Sequence, residues 1–521
     1  MKYKIATALL CLLIFASLLH NLQNLPRPWF DEGWALSLAR NWVVLDHYGH
    51  LFLGEPVPST ILNTGFPAIA PIALSFQLFG IGIWQGRLPG ALFMFGACLL
   101  LYHLAQRLYG RRIAFWSLVL SLVLSMHQYL HPVFVGRQVL GEAPAMFYLL
   151  AGYSLLFALW WKGIRLAVVP SLFFALALQT KPQFLPFWFV SLVVPILWLA
   201  WRRRWAEPRY LSISLVLSLT FSLMITWGLR FLTAPIVADQ VVSGDPYAMT
   251  RNIDILLTYV IVLDPAFRVR IVMTMLGLTI GVPTIIGATY VGFHQISNLW
   301  RSQDVEARSV WILIIWTFVF TWLGWFFLLS IGFVRYLFPA VMVGSIFTAK
   351  AFSEIMSGFD FAAIVKSLAK NLHDRQVALG SLGVLLTTVF FLFWSITTVS
   401  LSYQLLVSDP PDAYSHVLTF LNNETPATAV IETYDSELFL FLERDYHFPP
   451  DSVQHILNRN HAFGENRPLD YDPTPAGIDY LVTGLTGDWW ALYDTLLAIG
   501  NFELVFQNSG YLVYRHAANA P

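Results

Sequence analysis

Apolar stretches long enough to cross a lipid bilayer recur along the chain, and they limit what it can fold into. A membrane-spanning helix needs about 20 mostly apolar residues, and a helix makes the backbone hydrogen bonds that hydrocarbon cannot supply. Eleven stretches approach or reach this length, near residues 5–21, 88–106, 113–131, 143–161, 166–180, 183–201, 210–229, 271–293, 310–333, 336–352 and 378–400. We therefore predict an α-helical polytopic membrane protein with about 11 transmembrane helices.

The charge content agrees with this prediction. Only 12% of the residues are charged and the formal net charge is zero, whereas soluble proteins carry about 25% charged residues. The balanced charge gives no reason to expect a nucleic-acid partner. Most of the chain is therefore predicted to contact the lipid bilayer.

Two apolar segments have a second interpretation. The N-terminal stretch has the basic start and apolar core of a signal peptide, but no cleavage site of small residues precedes Pro26, so we predict a retained first span. Residues 66–84 contain two prolines and two glycines. We predict that they lie at the membrane interface, and a full span remains the alternative.

Basic residues occupy alternate loops of this arrangement, and they predict its orientation. Loops rich in Lys and Arg remain in the cytoplasm, which places the N-terminus there. An odd number of spans then places the C-terminus on the extracytoplasmic side of a plasma (inner) membrane. The basic residues of the predicted cytoplasmic loops are Arg107, Arg111, Arg112, Lys162, Arg165, Arg202, Arg203, Arg204, Arg209, Arg301, Arg308, Lys350, Lys366, Lys370 and Arg375.

Residues 404–521 are predicted to form a separate soluble, extracytoplasmic domain after a transmembrane domain at 1–403, whose first external loop is 22–86. The segment has 16 Asp and Glu against 4 Arg and no Lys. Such acidity is typical of a solvated surface, and binding of a cationic partner is the alternative. Apolar alternation in "IDYLVTGL" and "FELVFQNSGYLVYRH" predicts strands, the second a hairpin over residues 508–510. The residue pattern predicts a strand, a turn and a helix in "ATAVIETYDSELFLFLERDYHF", and a helix that ends at Gly500 in "DWWALYDTLLAIG". We therefore predict a small α/β domain.

An acidic pair, Asp31 and Glu32, opens the first external loop between Trp29, Phe30 and Trp34. Asp31 could cap the helix that follows, and Glu32 could interact with the dipole of its first turn. The alternative is that the carboxylates take part in chemistry. A further carboxylate, Glu142, follows Arg137 at the start of a later span, where the two could pair.

Positive charge also gathers on the external face, at Arg87, Arg137, Lys181 and Arg335. These residues lie at the ends of apolar stretches, where a lone charge costs about 2.5–3.5 kcal/mol at worst. Lys181 and Arg335 could extend their charged groups toward the membrane interface. For Arg87 a structural role is favoured. The alternative is that a lipid phosphate binds this face and compensates its positive charge, because arginine forks match phosphate oxygens.

Five sequence features together resemble the GT-C superfamily of integral-membrane glycosyltransferases. They are the acidic pair, "GRLPGALFMFGACLLLYHLAQRLYGRR" (86–112), "GRQVLGEAPAMFYLLAGYSLL" (136–156), "LALQTKPQFLPFW" (176–188) and "RYLFPAVMVGSIF" (335–347). They are similar to the aminoarabinose transferases of lipid A and to the protein O-mannosyltransferases, over roughly residues 1–350. The chain departs from both branches. "ILNTGFPAIAP" lacks the lysine of the aminoarabinose transferases, and neither the loop motifs nor the MIR-like domain of the mannosyltransferases is evident, so the sugar does not carry over.

The resemblance implies transfer of a sugar from a polyprenyl phosphate to an acceptor hydroxyl by one inverting displacement. The sugar would be a hexosyl or pentosyl group, and the acceptor a glycolipid, a polysaccharide or a protein. Asp31 would act as the base, with Glu32 as a second catalytic candidate. The donor phosphate would bind Lys181, Arg335 and Arg137, with Tyr336 and Arg87 as further contacts, and Glu142 would hold the acceptor or a metal.

Two alternatives concern transport and metal binding. A transporter or flippase of a lipid-linked sugar would share the basic face and the number of spans, but its usual internal repeat is not visible. The implied reaction needs no redox cofactor, and a divalent metal ion is an open alternative. His127 and His131 could share a helix face, and a His pair with a carboxylate can bind a divalent ion, although an interfacial position is more typical of such a pair.

Overall fold

The computed structural model describes residues 2–58, 64–125, 127–160, 162–243, 261–301, 306–356, 358–359, 366, 379–407 and 412–517. Helices dominate these residues, and seven of them are long and apolar enough to cross a membrane. They are Ile83–Tyr109, Glu142–Leu159, Pro182–Trp201, Ala206–Phe231, Ala307–Leu328, Val334–Ile355 and Val384–Leu401. An eighth candidate is the pair Pro265–Gly277 and Val282–Arg301, which is bent by 94°.

The helices are α1 (Lys2–Leu19), α2 (Phe30–Leu45), α3 (Phe66–Phe79), α4 (Ile83–Tyr109), α5 (Arg111–Val123), α6 (Pro132–Gly136), α7 (Glu142–Leu159), α8 (Val168–Thr180), α9 (Leu185–Trp201), α10 (Ala206–Ser243), α11 (Pro265–Gly277), α12 (Val282–Val291), α13 (Ser297–Arg301), α14 (Ala307–Leu328), α15 (Phe338–Ile355), α16 (Leu379–Val407), α17 (Ala413–Asn423), α18 (Asp451–Phe463), α19 (Leu485–Trp490) and α20 (Asp494–Ala498). The strands are β1 (Gly49–Phe52), β2 (Glu55–Pro58), β3 (Val430–Thr433), β4 (Asp445–His447), β5 (Tyr480–Thr483), β6 (Phe502–Gln507) and β7 (Leu512–His516).

The prediction of a polytopic helical protein with a small C-terminal α/β domain is confirmed, but the spans predicted at 113–131 and 166–180 contain helices of only 13 residues. The stretch predicted at 113–131 forms α5, which has 13 residues, and then a short 3-10 turn at Gln128–Leu130. Helix α3 has 14 residues, which at 1.5 Å per residue is about 21 Å, less than the hydrocarbon thickness of about 30 Å. Gly80 ends α3 with φ of 83°.

The largest apolar core lies where α4, α7, α8, α14 and α15 pack together. Small residues on these helices are fully buried, among them Ala143, Ala177 and Ala340. Small side chains let helix backbones approach closely, which favours helix association in lipid. This tight core fixes the ends of the helices, where Arg87, Glu142, Lys181 and Arg335 are located.

The C-terminal residues form a five-stranded sheet in the order β4-β3-β5-β7-β6. Strands β4, β3 and β5 are parallel, whereas β7 is antiparallel to β5 and to β6. The predicted hairpin over residues 508–510 and the strand in "IDYLVTGL" are confirmed.

Two predicted helices of this domain are wrong in detail. The helix predicted after β3 is a 3-10 turn, Ser436–Leu440, which leads into β4. All five residues of this turn are buried. The segment therefore has no solvent-exposed face, whereas an amphipathic helix has one. The helix predicted over 488–500 is divided into α19 and α20, because Ala491 between them has φ of 50°.

The domain buries a carboxyl group, Glu437, whose side chain accepts a hydrogen bond from the Tyr511 hydroxyl at 2.9 Å. Its other oxygen, Oε2, is also buried. Burial and the neighbouring Asp435 carboxyl raise the pKa of Glu437 to about 8. Glu437 therefore keeps its proton in the folded domain at pH values where the unfolded chain has released it.

We expect Glu437→Gln to reduce the loss of stability that the wild type shows as the pH rises from about 4.5 to about 8. In this range the folded state binds more protons than the unfolded state, so the free energy of unfolding falls by at most about 1.4 kcal/mol per pH unit. The melting temperature of the detergent-solubilised protein, measured from pH 5 to pH 8.5, checks this. The exposed Glu443→Gln is the control, and an equal slope in all three proteins would contradict the assignment.

Candidate active site

Helix α2 presents its two acidic residues in opposite environments. It begins at Phe30, after an extended Trp29 with φ of −148° and ψ of 171°, so both carboxylates lie in the first turn, near the positive end of the helix dipole. Consecutive helical residues are about 100° apart around the axis. The Asp31 side chain is 27% exposed, while that of Glu32 is fully buried.

Asp31 forms an ion pair with Arg335, whose side chain is 21% exposed. Arg335 lies in the 3-10 turn Val334–Leu337 that precedes α15. Its guanidinium group lies 5.4 Å from the ring centre of Trp29 and 5.6 Å from that of Tyr336. The aromatic rings therefore hold the cation beside the carboxylate while both remain accessible.

A second ion pair joins Lys181 to Glu142, also close to Tyr336. Lys181 follows the last residue of α8 and is 20% exposed, whereas Glu142 begins α7 and is 2% exposed. The Lys181 Nζ lies 5.8 Å from the ring centre of Tyr336. The Tyr336 backbone oxygen accepts a hydrogen bond from Trp322 Nε1 at 2.6 Å, which helps to hold the tyrosine beside the two cations.

These contacts bring five predicted residues into one continuous group: Asp31, Arg335, Tyr336, Lys181 and Glu142. We call this group the charged row. It combines a partly exposed carboxylate with two partly exposed cations. Such a set can accept a proton at one end and bind an anion beside it.

Glu32 and Arg87 do not belong to the charged row. Arg87 donates from Nε and Nη2 to the Glu32 carboxylate at 2.9 and 2.6 Å, and both side chains are 0% exposed. Glu32 also accepts from the Val139 backbone N–H at 2.9 Å, and Arg87 donates to the Leu22 carbonyl at 3.0 Å. The sequence predicts Glu32 as a catalytic candidate and Arg87 as a phosphate contact. In the structure, their ion pair joins four segments of the chain in the protein interior.

Arg137 also lies apart from the charged row. It is 2% exposed, and its Nη2 donates to the His20 carbonyl and, at 3.1 Å, to the Asn21 carbonyl just beyond α1. The predicted phosphate contact is therefore located among backbone oxygens. The alternative pairing of Arg137 with Glu142 does not occur, because Glu142 pairs with Lys181.

The histidine pair does not share a helix face. His127 and His131 flank the 3-10 turn Gln128–Leu130, and the His127 ring accepts from the Tyr129 N–H at 3.3 Å. Among the residues that the structure describes, no group of three or more His, Cys, Asp or Glu is arranged to hold a metal ion.

Sequence reasoning missed several residues that shape the site. Trp29 flanks the acidic pair in the sequence, but its contact with Arg335 depends on a residue about 300 positions later. Trp322 acts through its indole N–H on a backbone oxygen, and Val139 acts through its own backbone N–H. Backbone groups leave no signal in residue types, so neither contact could be identified from the sequence.

Comparison with known proteins gives one sequence match and several similar folds. The family model PMT_2, described as dolichyl-phosphate-mannose-protein mannosyltransferase, matches residues 67–227. No curated protein matches the chain by sequence.

The solved structures cover nearly the whole chain. ArnT from Cupriavidus metallidurans bound to undecaprenyl phosphate has a TM-score of 0.61 at 13% identity, covering 99% of this chain and 98% of that one. The archaeal oligosaccharyltransferase AglB from Archaeoglobus fulgidus, in complex with an inhibitory peptide and a dolichol-phosphate, has a TM-score of 0.55 at 13% identity, covering 98% and 74%. The chain thus has the fold of the GT-C membrane glycosyltransferases and resembles their aminoarabinose transferase and protein mannosyltransferase members.

Proposed function

We propose that the protein transfers a sugar from a polyprenyl-phosphate donor to an acceptor hydroxyl on the extracytoplasmic face of the membrane. The observation that carries this proposal is the charged row, in which the Asp31 carboxylate pairs with Arg335 and both Arg335 and Lys181 contact the Tyr336 ring. A transfer of this kind needs a base for the acceptor and cations for the leaving phosphate, and the row supplies both.

The proposed reaction is a single inverting displacement. Asp31 takes the proton of the acceptor hydroxyl as its oxygen attacks the anomeric carbon. The bond from that carbon to the phosphate oxygen breaks, and its electron pair leaves with the lipid phosphate. Preorganised cations stabilise such developing charge, and Arg335 and Lys181 are the cations nearest to Asp31 in the row.

Arg335 has two alternative anionic partners in this scheme. In the structure it pairs with Asp31, and a donor phosphate would compete for the same guanidinium group. Binding of the donor would thus release the Asp31 carboxylate to accept the proton. Glu142 would keep Lys181 aligned beside Tyr336, and the buried Glu32–Arg87 pair would hold α2 in place.

The similar structures support the class of donor. ArnT is bound to undecaprenyl phosphate, and AglB to a dolichol-phosphate, so both folds accommodate a polyprenyl phosphate. For this chain we propose a transmembrane domain at 1–403 and an extracytoplasmic domain at 404–521. The basic loops support a cytoplasmic N-terminus in a plasma (inner) membrane.

The test is sugar transfer by the purified full chain in proteoliposomes. A panel of radiolabelled polyprenyl-phosphate hexoses and pentoses serves as donors, and a membrane extract containing glycolipids, polysaccharides and proteins supplies acceptors. Label that moves to an acceptor supports the proposal. Label that crosses the bilayer still attached to its lipid would overturn it in favour of a flippase.

We expect Lys181→Met to weaken donor use, raising the donor KM by about tenfold to a hundredfold. The magnitude follows from the roughly 1.5–3 kcal/mol of a hydrogen bond to a charged group. Because the change leaves the buried Glu142 without its cation, the double variant Lys181→Met/Glu142→Gln is measured alongside. The exposed Lys162→Met is the matched control, and an unchanged donor KM in both Lys181 variants would exclude Lys181 from the phosphate site.

A further inference from the structure

The C-terminal domain contacts α2 directly at the acidic pair. Ser436 Oγ, in the turn Ser436–Leu440, donates a hydrogen bond to the Phe30 backbone oxygen at 2.6 Å. Phe30 is the first residue of α2 and immediately precedes Asp31. Ser436 is 0% exposed, so this hydrogen bond is shielded from water.

Backbone packs on backbone at the same place. A Cβ atom added to Gly33 would lie 2.1 Å from the carbonyl carbon and oxygen of Ser436, and 2.3 Å from the Glu437 nitrogen. No side chain fits at these distances, so only glycine allows the turn to approach this closely. Gly33 lies two residues after Asp31, and the contact therefore belongs to the same helical turn as the carboxylate.

Aromatic rings enclose the contact and fix its geometry. The Trp34 ring lies 5.3 Å from the ring of Phe439 and 5.0 Å from that of Phe448. The Phe30 ring lies 4.8 Å from that of Tyr434. Edge-to-face aromatic pairs contribute roughly 0.5–1.5 kcal/mol each beyond their burial, so the domain and α2 are held in one relative position.

We propose that the turn Ser436–Leu440 positions the Asp31 carboxylate, with Ser436 and Gly33 as the positioning residues. The inference rests on the proposed function, in which Asp31 is the base. The first turn of α2 is held by Arg335 through Asp31 and by the turn through Phe30 and Gly33. A catalytic group misplaced by about 1 Å can cost about a hundredfold in rate, so the C-terminal domain contributes to catalysis by holding the first turn of α2 in place.

The test compares Ser436→Ala and Gly33→Ala in the full chain, with transfer rate as one measurement and hydrogen exchange of the amides in residues 30–40 as the other. We expect kcat to fall by about tenfold or more in Gly33→Ala and by less in Ser436→Ala. Amide exchange in this segment should become faster in both. Gly324→Ala, where an added Cβ meets nothing within 4 Å, and the exposed Ser452→Ala are the controls.

A double-mutant cycle separates positioning from loss of folded protein. If Ser436 acts through Asp31, Ser436→Ala lowers the rate of the wild type but not the residual rate of Asp31→Asn. The same factor in both backgrounds would overturn the positioning role. Full activity of Asp31→Asn would instead refute the base assignment, and amide exchange would still report whether the turn holds α2.

Discussion

Asp31→Asn is expected to lower sugar transfer by about 10²–10⁴-fold, the usual contribution of a positioned general base. Asparagine has the size of aspartate but cannot take up the acceptor proton. Binding of undecaprenyl phosphate should persist, because Arg335 and Lys181 remain, and Arg335 no longer has a competing carboxylate. Transfer rates and lipid-phosphate binding, measured on the same proteoliposome preparations, test the two halves of this expectation.

The matched control for this substitution lies at the other end of α2. Asp46 follows the last residue of the helix and is exposed, so Asp46→Asn makes the same chemical change away from the charged row. It should transfer at the wild-type rate. An Asp31→Asn protein that keeps more than half of that rate would remove Asp31 from the reaction, whatever its effect on donor binding.

Arg87→Met is expected to cost roughly 3–5 kcal/mol of stability, the typical cost of removing one partner from a buried ion pair. Both side chains of the Glu32–Arg87 pair are 0% exposed. The substitution therefore leaves a carboxylate in the interior with the Val139 N–H as its only remaining hydrogen bond among those described. Thermal unfolding in detergent, followed by tryptophan fluorescence, measures the loss.

Two further variants separate the buried charge from other effects of the substitution. The double variant Glu32→Gln/Arg87→Met removes the uncompensated charge and should recover part of the lost stability. Arg111→Met, at an exposed arginine that begins α5, should unfold as the wild type does. If Arg87→Met unfolds at the same temperature as Arg111→Met, the pair does not stabilise the protein.

Much of the membrane fold could be predicted from the sequence, because long apolar runs and basic loops follow from the chemistry of the bilayer. Helix ends were harder to locate. The predicted span extends to residue 131, yet α5 ends at Val123, shortly before the polar residues Ser125, His127 and Gln128. In the C-terminal domain, the apolar segment after β3 predicted a helix. The observed 3-10 turn is buried against α2, and contact with another part of the chain overrides local preference in such a case.

The residue types of the site could be predicted from the sequence, but the ion pairs between these residues could not. Asp31 and Glu32 are adjacent and chemically alike, and the helical rotation between them decides that one is accessible and the other buried. Glu142 is close in sequence to Arg137, yet it pairs with Lys181 because the first residue of α7 meets the end of α8. Such partners depend on how helices pack, and spacing along the chain does not reveal them.

The partners of the acidic pair also have a consequence for biosynthesis. Asp31 is made early, but Arg335 follows it by 304 positions, and Ser436 follows Phe30 by 406 positions. During translation, the first turn of α2 therefore cannot contact these partners until most of the polypeptide has left the ribosome. A nascent chain, or one truncated before residue 335, carries the carboxylate without the arginine that pairs with it, so this ion pair can form only after residue 335 of 521 has been added.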